Sequence, residues 1–151
     1  MFYFRKLIDE NEVELVSYVK QYLVDHQLED IKIHVGCDSQ NIGPLTHYAT
    51  TVVFHIGNSG CHFIYKKEKL PKIEDMWTKL WGETPRSVEI ANHLKEHGIH
   101  VNSVDLDFNS DEKQKSNKLV SASVGFVESM GLKANVKPAI LPAISAADMM
   151  C

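Results

Sequence analysis

The sequence is poor in cysteine, has no long apolar run and carries no large excess of charge of either sign. Its three cysteines, at positions 37, 61 and 151, have neither the density of a disulfide framework nor the spacing of a zinc ribbon, so we expect reduced thiols. No apolar segment approaches the ~20 residues of a membrane-spanning helix. The first residues also lack the basic and apolar regions of a secretion signal. These absences predict a cytoplasmic protein without a membrane partner.

The size and charge of the chain bound its organisation. At 151 residues it has the length of one ordinary domain. We therefore expect a single domain over residues 1–151, in which residues 1–28 form a helical extension. The formal charge is −4 and the pI is about 6.0. Because nucleic-acid-binding surfaces are usually basic, local lysines or bound cations must offset this charge if the partner is nucleic acid.

The first half of the chain predicts one helix followed by three strands. Residues 11–27 place apolar side chains at three- and four-residue spacing, which is typical of an amphipathic helix. Three segments rich in β-branched and aromatic residues follow, joined by short turns, at residues 31–40, 46–57 and 61–67. Short connections between successive strands predict an antiparallel meander. The first of these strands alternates apolar and polar residues and then stops, by this reading, at Gly36 and Asp38.

The second half alternates helix and strand. Thr84 is a suitable helix cap and Pro85 a suitable first helical residue, and Gly98 marks the end of that helix. A strand at 100–109, a helix at 119–130, a short strand at 133–137 and a short helix at 145–151 complete the order. This pattern predicts an α/β fold with a mixed five-stranded sheet flanked by helices, in which the later strands run parallel to the first.

Carboxylates stand near the ends of several of these elements. Asp38 follows the first strand, Glu89 lies early in a helix, Asp107 lies late in a strand and Asp148 is in the last helix, with Glu83 as a second candidate for the helix acid. Parallel strands would bring Asp38 and Asp107 together. Asp105 shares a face with Asp107, where two acids repel each other and lose solvation, and a bound cation would remove both penalties. The alternative is that these acids only cap and solvate the ends of elements.

Four segments carry a resemblance to a known family: VGCDSQ, KLWGETPRSVEIANHL, VDLDFN and VKPAILPAISAAD. They resemble the YkuK-like family of RNase H-related proteins, within the ribonuclease H-like superfamily, over about residues 31–151. The family's first strand matches Gly36, Asp38, Ser39 and Gln40. Its helix acid falls on Glu89, with Glu83 as the alternative, and its later motifs fall on Asp107, Asn109, Lys137, Pro138 and Asp148. At Asp105 the chain departs from the family, which often has histidine there.

The resemblance implies a metal-dependent nuclease that hydrolyses phosphodiester bonds of RNA, DNA or a hybrid with two divalent ions. Asp38 would bridge the ions, Glu89 and Asp107 would complete one metal site, and Asp148 the other. Oxygen ligands favour Mg²⁺ or Mn²⁺. The expected substrate-binding residues are Ser39, Gln40, Asn109 and Lys137.

Two alternatives remain open. The chain could be a catalytically inactive RNase H-like module that binds nucleic acid or a protein partner, which the acidic pI favours. An ATP-binding phosphotransferase would need glycine-rich phosphate loops, which the sequence lacks.

Four lysines form a cluster at Lys66, Lys67, Lys69 and Lys72. They could hold a phosphate backbone beside aromatic rings, or they could simply solvate a strand edge.

Overall fold

The computed structural model describes residues 1–57, 60–109, 117–137 and 141–150. Within these residues the chain forms seven strands and five helices. For six residues inside these ranges only the backbone is described: Phe108, Asn109, Asn117, Lys118, Lys137 and Asp148. The strands are β1 (Tyr3–Lys6), β2 (Glu12–Glu14), β3 (Ile31–Ile42), β4 (Leu45–Ile56), β5 (Cys61–Pro71), β6 (Ser103–Asn109) and β7 (Ala134–Lys137). The helices are α1 (Leu15–Asp25), α2 (Met76–Trp81), α3 (Glu83–Glu96), α4 (Asn117–Ser129) and α5 (Pro142–Met150).

All seven strands form one mixed sheet in the order β2-β1-β5-β4-β3-β6-β7. The antiparallel meander β3-β4-β5 is present, and β6 runs parallel to β3 and β7 parallel to β6. The expectation of five strands is wrong in number, because β1 and β2 add to the edge at β5. β1 is four residues long and β2 is three residues long. They form because their backbones pair with the edge strand β5, which is distant in sequence. Segments this short show too little side-chain alternation to be predicted as strands.

The first helix is shorter than its apolar pattern suggests. Residues 12–14 pair with β1 and do not join the helix. The carboxylate of Glu14 then accepts hydrogen bonds from the backbone N–H groups of Val16 and Ser17, so it caps α1. The predicted start at residue 11 is therefore wrong, because strand pairing competes successfully for these residues. No helix in the described part of the chain is long and apolar enough to cross a membrane.

The first long strand does not stop at Asp38. β3 continues to Ile42 and pairs with β4 along its whole length, up to a turn at Gly43 and Pro44. Gly43 has φ +58°, a left-handed conformation that suits glycine in a two-residue hairpin turn. The predicted strand end at Asp38 is therefore wrong on the β4 side. On the β6 side, pairing does stop near the predicted position, because Gly36 is the last residue of β3 that pairs with β6.

The two faces of the sheet have different coverings. One face holds the main apolar core together with residues of α1, α3 and α4, and its central strand residues are Ile33, Val35, Val52, Phe54, Ile64, Val104 and Leu106. The other face packs against α5, where Ala143 and Ala146 contact Val53. The hydroxyl of Thr51 donates a 2.7 Å hydrogen bond to the carbonyl oxygen of Ala143. Because side chains alternate along a strand, each residue of the sheet can be assigned to the α3 face or the α5 face.

Gly36 lets α5 approach the sheet. A Cβ atom at this position would lie 2.9 Å from the Cβ of Ala143 and 3.2 Å from its carbonyl carbon. We therefore expect Gly36→Ala to lower the free energy of unfolding by about 1–3 kcal/mol through overpacking, as measured by urea denaturation. Gly125→Ala is the control, because a Cβ there meets no atom within 4 Å and helix propensity predicts a gain of about 0.5–1 kcal/mol. Equal stability of the two variants would contradict this account of Gly36.

Candidate active site

Asp38 and Asp107 occupy equivalent places on neighbouring parallel strands. The last pair between β3 and β6 is Gly36 with Asp105, and each carboxylate lies two residues beyond that pair. By alternation Asp38 projects from the α5 face of the sheet, whereas Asp107 lies in a stretch of β6 where the register shifts between Leu106 and Asn109. Asp38 is buried, with 9% of its surface exposed, and its side chain accepts a 2.9 Å hydrogen bond from the backbone N–H of Ser39. The sheet thus brings toward one place the two acids that the sequence pairs.

Glu83 is the third carboxylate of this region. It is the first residue of α3 and has only 3% of its surface exposed. The hydroxyl of Ser39 donates a hydrogen bond to Glu83 Oε2. The other oxygen, Oε1, is buried and has no hydrogen-bond partner among the described residues. A buried carboxylate oxygen without a hydrogen-bond donor is energetically costly. The protein therefore satisfies only part of the hydrogen-bonding capacity of Glu83.

The electrostatic environment of Glu83 ties it to both aspartates. Burial raises the pKa of Glu83 well above its ordinary value of 4.5, and the charges of Asp38 and Asp107 raise it further. The hydrogen bond from Ser39 and the charge of Lys79 act in the opposite direction but do not cancel the rise. Clustered carboxylates with raised pKa values are typical of functional sites, although structural networks also produce them.

The junction between α2 and α3 is built tightly enough to place Glu83. The Tyr48 hydroxyl donates a 2.7 Å hydrogen bond to the Lys79 carbonyl oxygen, and burial raises the pKa of Tyr48 to about 12. Arg86 stacks 3.9 Å from the Tyr48 ring centroid and donates to Glu68 and to the carbonyl oxygen of Gly82. A Cβ at Gly82 would collide with the Tyr48 hydroxyl, so only glycine fits here. The predicted cap at Thr84 is therefore wrong. The helix starts at Glu83, two residues before the predicted first helical residue Pro85, and Thr84 donates instead to Ser123 on α4.

Glu89 lies elsewhere on the same helix. It is exposed and lines a cleft of about 520 Å³ together with Lys66, Glu68 and Arg86. Six residues of α-helix separate it from Glu83 by about 9 Å along the helix axis. The charges that act on Glu83 come from Asp38 and Asp107, whereas Glu89 faces a different cleft. The geometry therefore favours Glu83 over Glu89 as the helix acid.

Asp105 is satisfied by protein groups. Its carboxylate accepts hydrogen bonds from the Ser103 hydroxyl at 2.8 Å, the Asn135 amide at 3.3 Å and the backbone N–H of Ala143 at 2.9 Å. Ser103 also lies 2.6 Å from His34 Nδ1. Burial raises the pKa of Asp105 and lowers that of His34. Asp105 thus links the first turn of α5 to β6. Because protein donors supply both of its oxygens, no cation is needed to explain why this carboxylate is buried.

The remaining predicted residues are placed to different degrees. Ser39 is buried against Glu83, and Gln40 is exposed at the next position of β3. The backbones of Asn109 and Lys137 pair across β6 and β7, after a register shift that follows Leu106. The side chains of Asn109, Lys137 and Asp148 lie outside the description, as does all of Pro138. Sequence reasoning missed Tyr48 and Arg86, whose role depends on a contact between elements and leaves no local pattern.

Asp38, Glu83 and Asp107 are the described carboxylates best suited to hold a divalent cation. All three offer oxygen donors, and a cation would satisfy the bare oxygen of Glu83 and offset the repulsion among the three charges. As they stand, however, the described residues contain no group of three His, Cys, Asp or Glu side chains that could together hold a metal ion. Glu83 is held by Ser39, which projects from the α3 face, whereas Asp38 projects from the α5 face.

Comparison with known proteins identifies the family. A family model described as Ribonuclease H-like matches residues 14–151. The chain belongs to the ribonuclease H-like family. No curated protein and no solved structure matches the chain. Membership in the ribonuclease H-like family indicates a nuclease-related or nucleic-acid-binding function, and the mixed sheet with flanking helices is consistent with the family fold.

The raised pKa of Glu83 predicts a pH-dependent cost to stability. Between its ordinary pKa near 4.5 and its higher pKa in the folded state, the folded protein binds more protons than the unfolded chain, so stability falls as pH rises. Glu83→Gln removes this ionisation. We therefore expect the variant to be more stable than the wild type at neutral pH, by a margin that shrinks as the pH falls to about 4.5 and below. Urea denaturation across this pH range measures the difference.

Glu89→Gln is the matched control for this comparison, because it changes an exposed carboxylate of the same helix. Because this carboxylate is exposed, Glu89→Gln should not reproduce the gain in stability that we expect of Glu83→Gln at neutral pH. A Glu83→Gln variant that is less stable than the wild type at neutral pH would show that the charged carboxylate is well accommodated.

Proposed function

We propose that the chain is a metal-dependent nuclease of the ribonuclease H-like family, in which Asp38, Glu83 and Asp107 bind divalent cations. The observation that carries the proposal is the buried carboxyl of Glu83, which has one oxygen without a donor and is coupled to both aspartates. A protein that needed only stability would gain by replacing such a group with a neutral side chain. Asp148, on α5, is the predicted fourth ligand.

The donor set fits Mg²⁺ or Mn²⁺, which prefer oxygen ligands. When bound, two such ions would supply an activated water and would stabilise the charge that develops on a phosphodiester. The substrate is RNA, DNA or a hybrid, as the resemblance to RNase H-related proteins implies. Before a cation binds, the raised pKa of Glu83 favours the protonated carboxyl. Cation binding should therefore release a proton.

The protein groups around the carboxylates have separate roles in this proposal. Ser39 orients Glu83 through its hydroxyl, and the Tyr48 and Arg86 contacts fix the start of α3 that carries Glu83. Asp105 holds the first turn of α5, the helix that carries Asp148. The positive charge of Lys79 acts on Glu83 and is suited to a substrate phosphate at the same place.

A second candidate function is a catalytically inactive module that binds nucleic acid or a protein partner. The observation in its favour is that no three metal-ligating side chains among the described residues stand close enough to hold an ion. Cation binding would have to draw the carboxylates of the two sheet faces together. Direct measurement of metal binding decides between the two functions.

Isothermal titration calorimetry with Mn²⁺ and Mg²⁺ tests the proposed site. We expect the wild type to bind Mn²⁺, and Asp38→Asn, Asp107→Asn and Glu83→Gln each to lose most of that binding, because each removes a negatively charged oxygen ligand. Titration in two buffers of different ionisation enthalpy should reveal the proton released from Glu83. Cleavage of labelled RNA, DNA and hybrid oligonucleotides should disappear in the same three variants.

Glu89→Gln again provides the control, since it should bind metal and cleave as the wild type does. The nuclease proposal fails if neither ion binds at millimolar concentration with oligonucleotide present and no substrate is cleaved. The inactive binding module would then be the better account.

A further inference from the structure

The lysine cluster of β5 is divided between the two faces of the sheet. Lys67 pairs with Ala49, which in turn pairs with Asp38 on β3. Because residues paired across a sheet project from the same face, Lys67 projects from the face that carries Asp38. The next row on this face is Gln40, His47 and Lys69. Lys67, Lys69 and Gln40 are exposed.

Lys66 projects from the opposite face. It pairs with Thr50, which pairs with Cys37, so its side chain leaves the sheet on the α3 face. Its Nζ atom lies 5.3 Å from the centroid of the Phe2 ring. Lys66 and Lys67 are therefore neighbours in sequence with the same charge and the same strand environment, but on different faces.

Two residues of β1 extend the row of cations. Arg5 pairs with Tyr65, which lies two positions before Lys67 and on the same face. Tyr3 shares the face of Arg5, and half of its surface is exposed. Tyr3, Arg5 and Lys67 line an open groove of about 460 Å³, together with Lys66, Tyr65, Glu10 and Glu12. This face thus combines three cations with an accessible aromatic ring.

We propose that Arg5, Lys67 and Lys69, here called the basic strip, bind the phosphates of a single-stranded nucleic acid that extends across the sheet from Asp38. The proposal rests on the proposed nuclease function for the direction of the strand. Positive charge beside a carboxylate site is complementary to a phosphate backbone approaching that site, and the overall charge of −4 leaves such attraction to local groups.

The spacing of the strip suits a nucleic-acid strand. Asp38 and Lys67 are separated by two strand spacings, or about 10 Å between Cα atoms. Ala49, which lies between them on β4, has no exposed surface, so a strand would pass over the side chains that cover Ala49. At a rise of about 3.4 Å per nucleotide, the direct distance of about three nucleotides is therefore a minimum. Tyr3 offers a ring on which an unpaired base can stack, whereas a duplex has no free base face to offer. The strip therefore favours a single strand over a duplex.

Fluorescence anisotropy in EDTA measures binding without metal-dependent cleavage. The probe is a labelled single-stranded RNA of about 12 nucleotides, within the site sizes of single-strand-binding proteins. We expect Lys67→Ala and Lys69→Ala each to weaken binding and to lower the slope of log Kobs against log salt by about 0.7, the value for one phosphate contact on a single strand. Lys20→Ala, which removes an exposed lysine of α1 outside this groove, should change neither the affinity nor the slope. Single-stranded DNA and a duplex of the same sequence serve as the other probes.

The outcomes separate the strip from the nuclease proposal. Equal losses in Lys20→Ala and Lys67→Ala, tighter binding of the duplex, or no binding by the wild type at low salt would overturn the strip, whether or not the protein cleaves nucleic acid. If the lysine effects appear but no metal-dependent cleavage is found, the strip stands as the surface of a binding module. If cleavage is found and the strip variants bind normally, the nuclease stands and the strip is wrong.

Discussion

The parallel pairing of β3 with β6 is the constraint on which the candidate site depends. Its last pair, Gly36 with Asp105, sets Asp38 and Asp107 two residues further along adjacent strands. The same pair is where α5 meets the sheet, because Gly36 leaves room for Ala143 and Asp105 accepts a hydrogen bond from its N–H. A shift of this register by one residue would turn one aspartate to the other face.

Glu83 shows how the fold tolerates an unfavourable group. The carboxyl is buried, lacks one hydrogen bond and feels two negative charges, yet the helix that carries it is held by Tyr48, Arg86 and Ser123. Asp105 on β6 is also buried, but its two oxygens accept hydrogen bonds from three donors. The contrast between the two acids separates a structural role from a candidate functional one on physical grounds, because both oxygens of Asp105 have a donor whereas Oε1 of Glu83 has none among the described residues.

The sheet also separates charges that the sequence groups together. Lysines 66, 67 and 69 form one basic cluster in the chain, but alternate residues of a strand project from opposite faces. Lys67 and Lys69 share the face of Asp38, and Lys66 faces the cleft beside α3. Which surface a basic segment of a strand contributes to therefore depends on whether each lysine is at an odd or an even position, because alternate residues project from opposite faces.

Much of the architecture follows from local patterns in the sequence. Alternation predicted the meander, and the order of elements predicted the parallel placement of β6. The motifs around Asp38 and Asp107 indicated the ribonuclease H-like family, which the comparison confirms.

Three features were decided only by tertiary structure: the two short edge strands, the extension of β3 past Asp38, and the preference for Glu83 over Glu89. The edge strands and the end of β3 depend on pairing with distant strands, and the environment of Glu83 depends on Ser39, Asp38 and Asp107, which come from other elements. A sequence pattern reports which face of its own element a residue occupies. It does not report which other element covers that face, and the burial of Glu83 is a property of that covering.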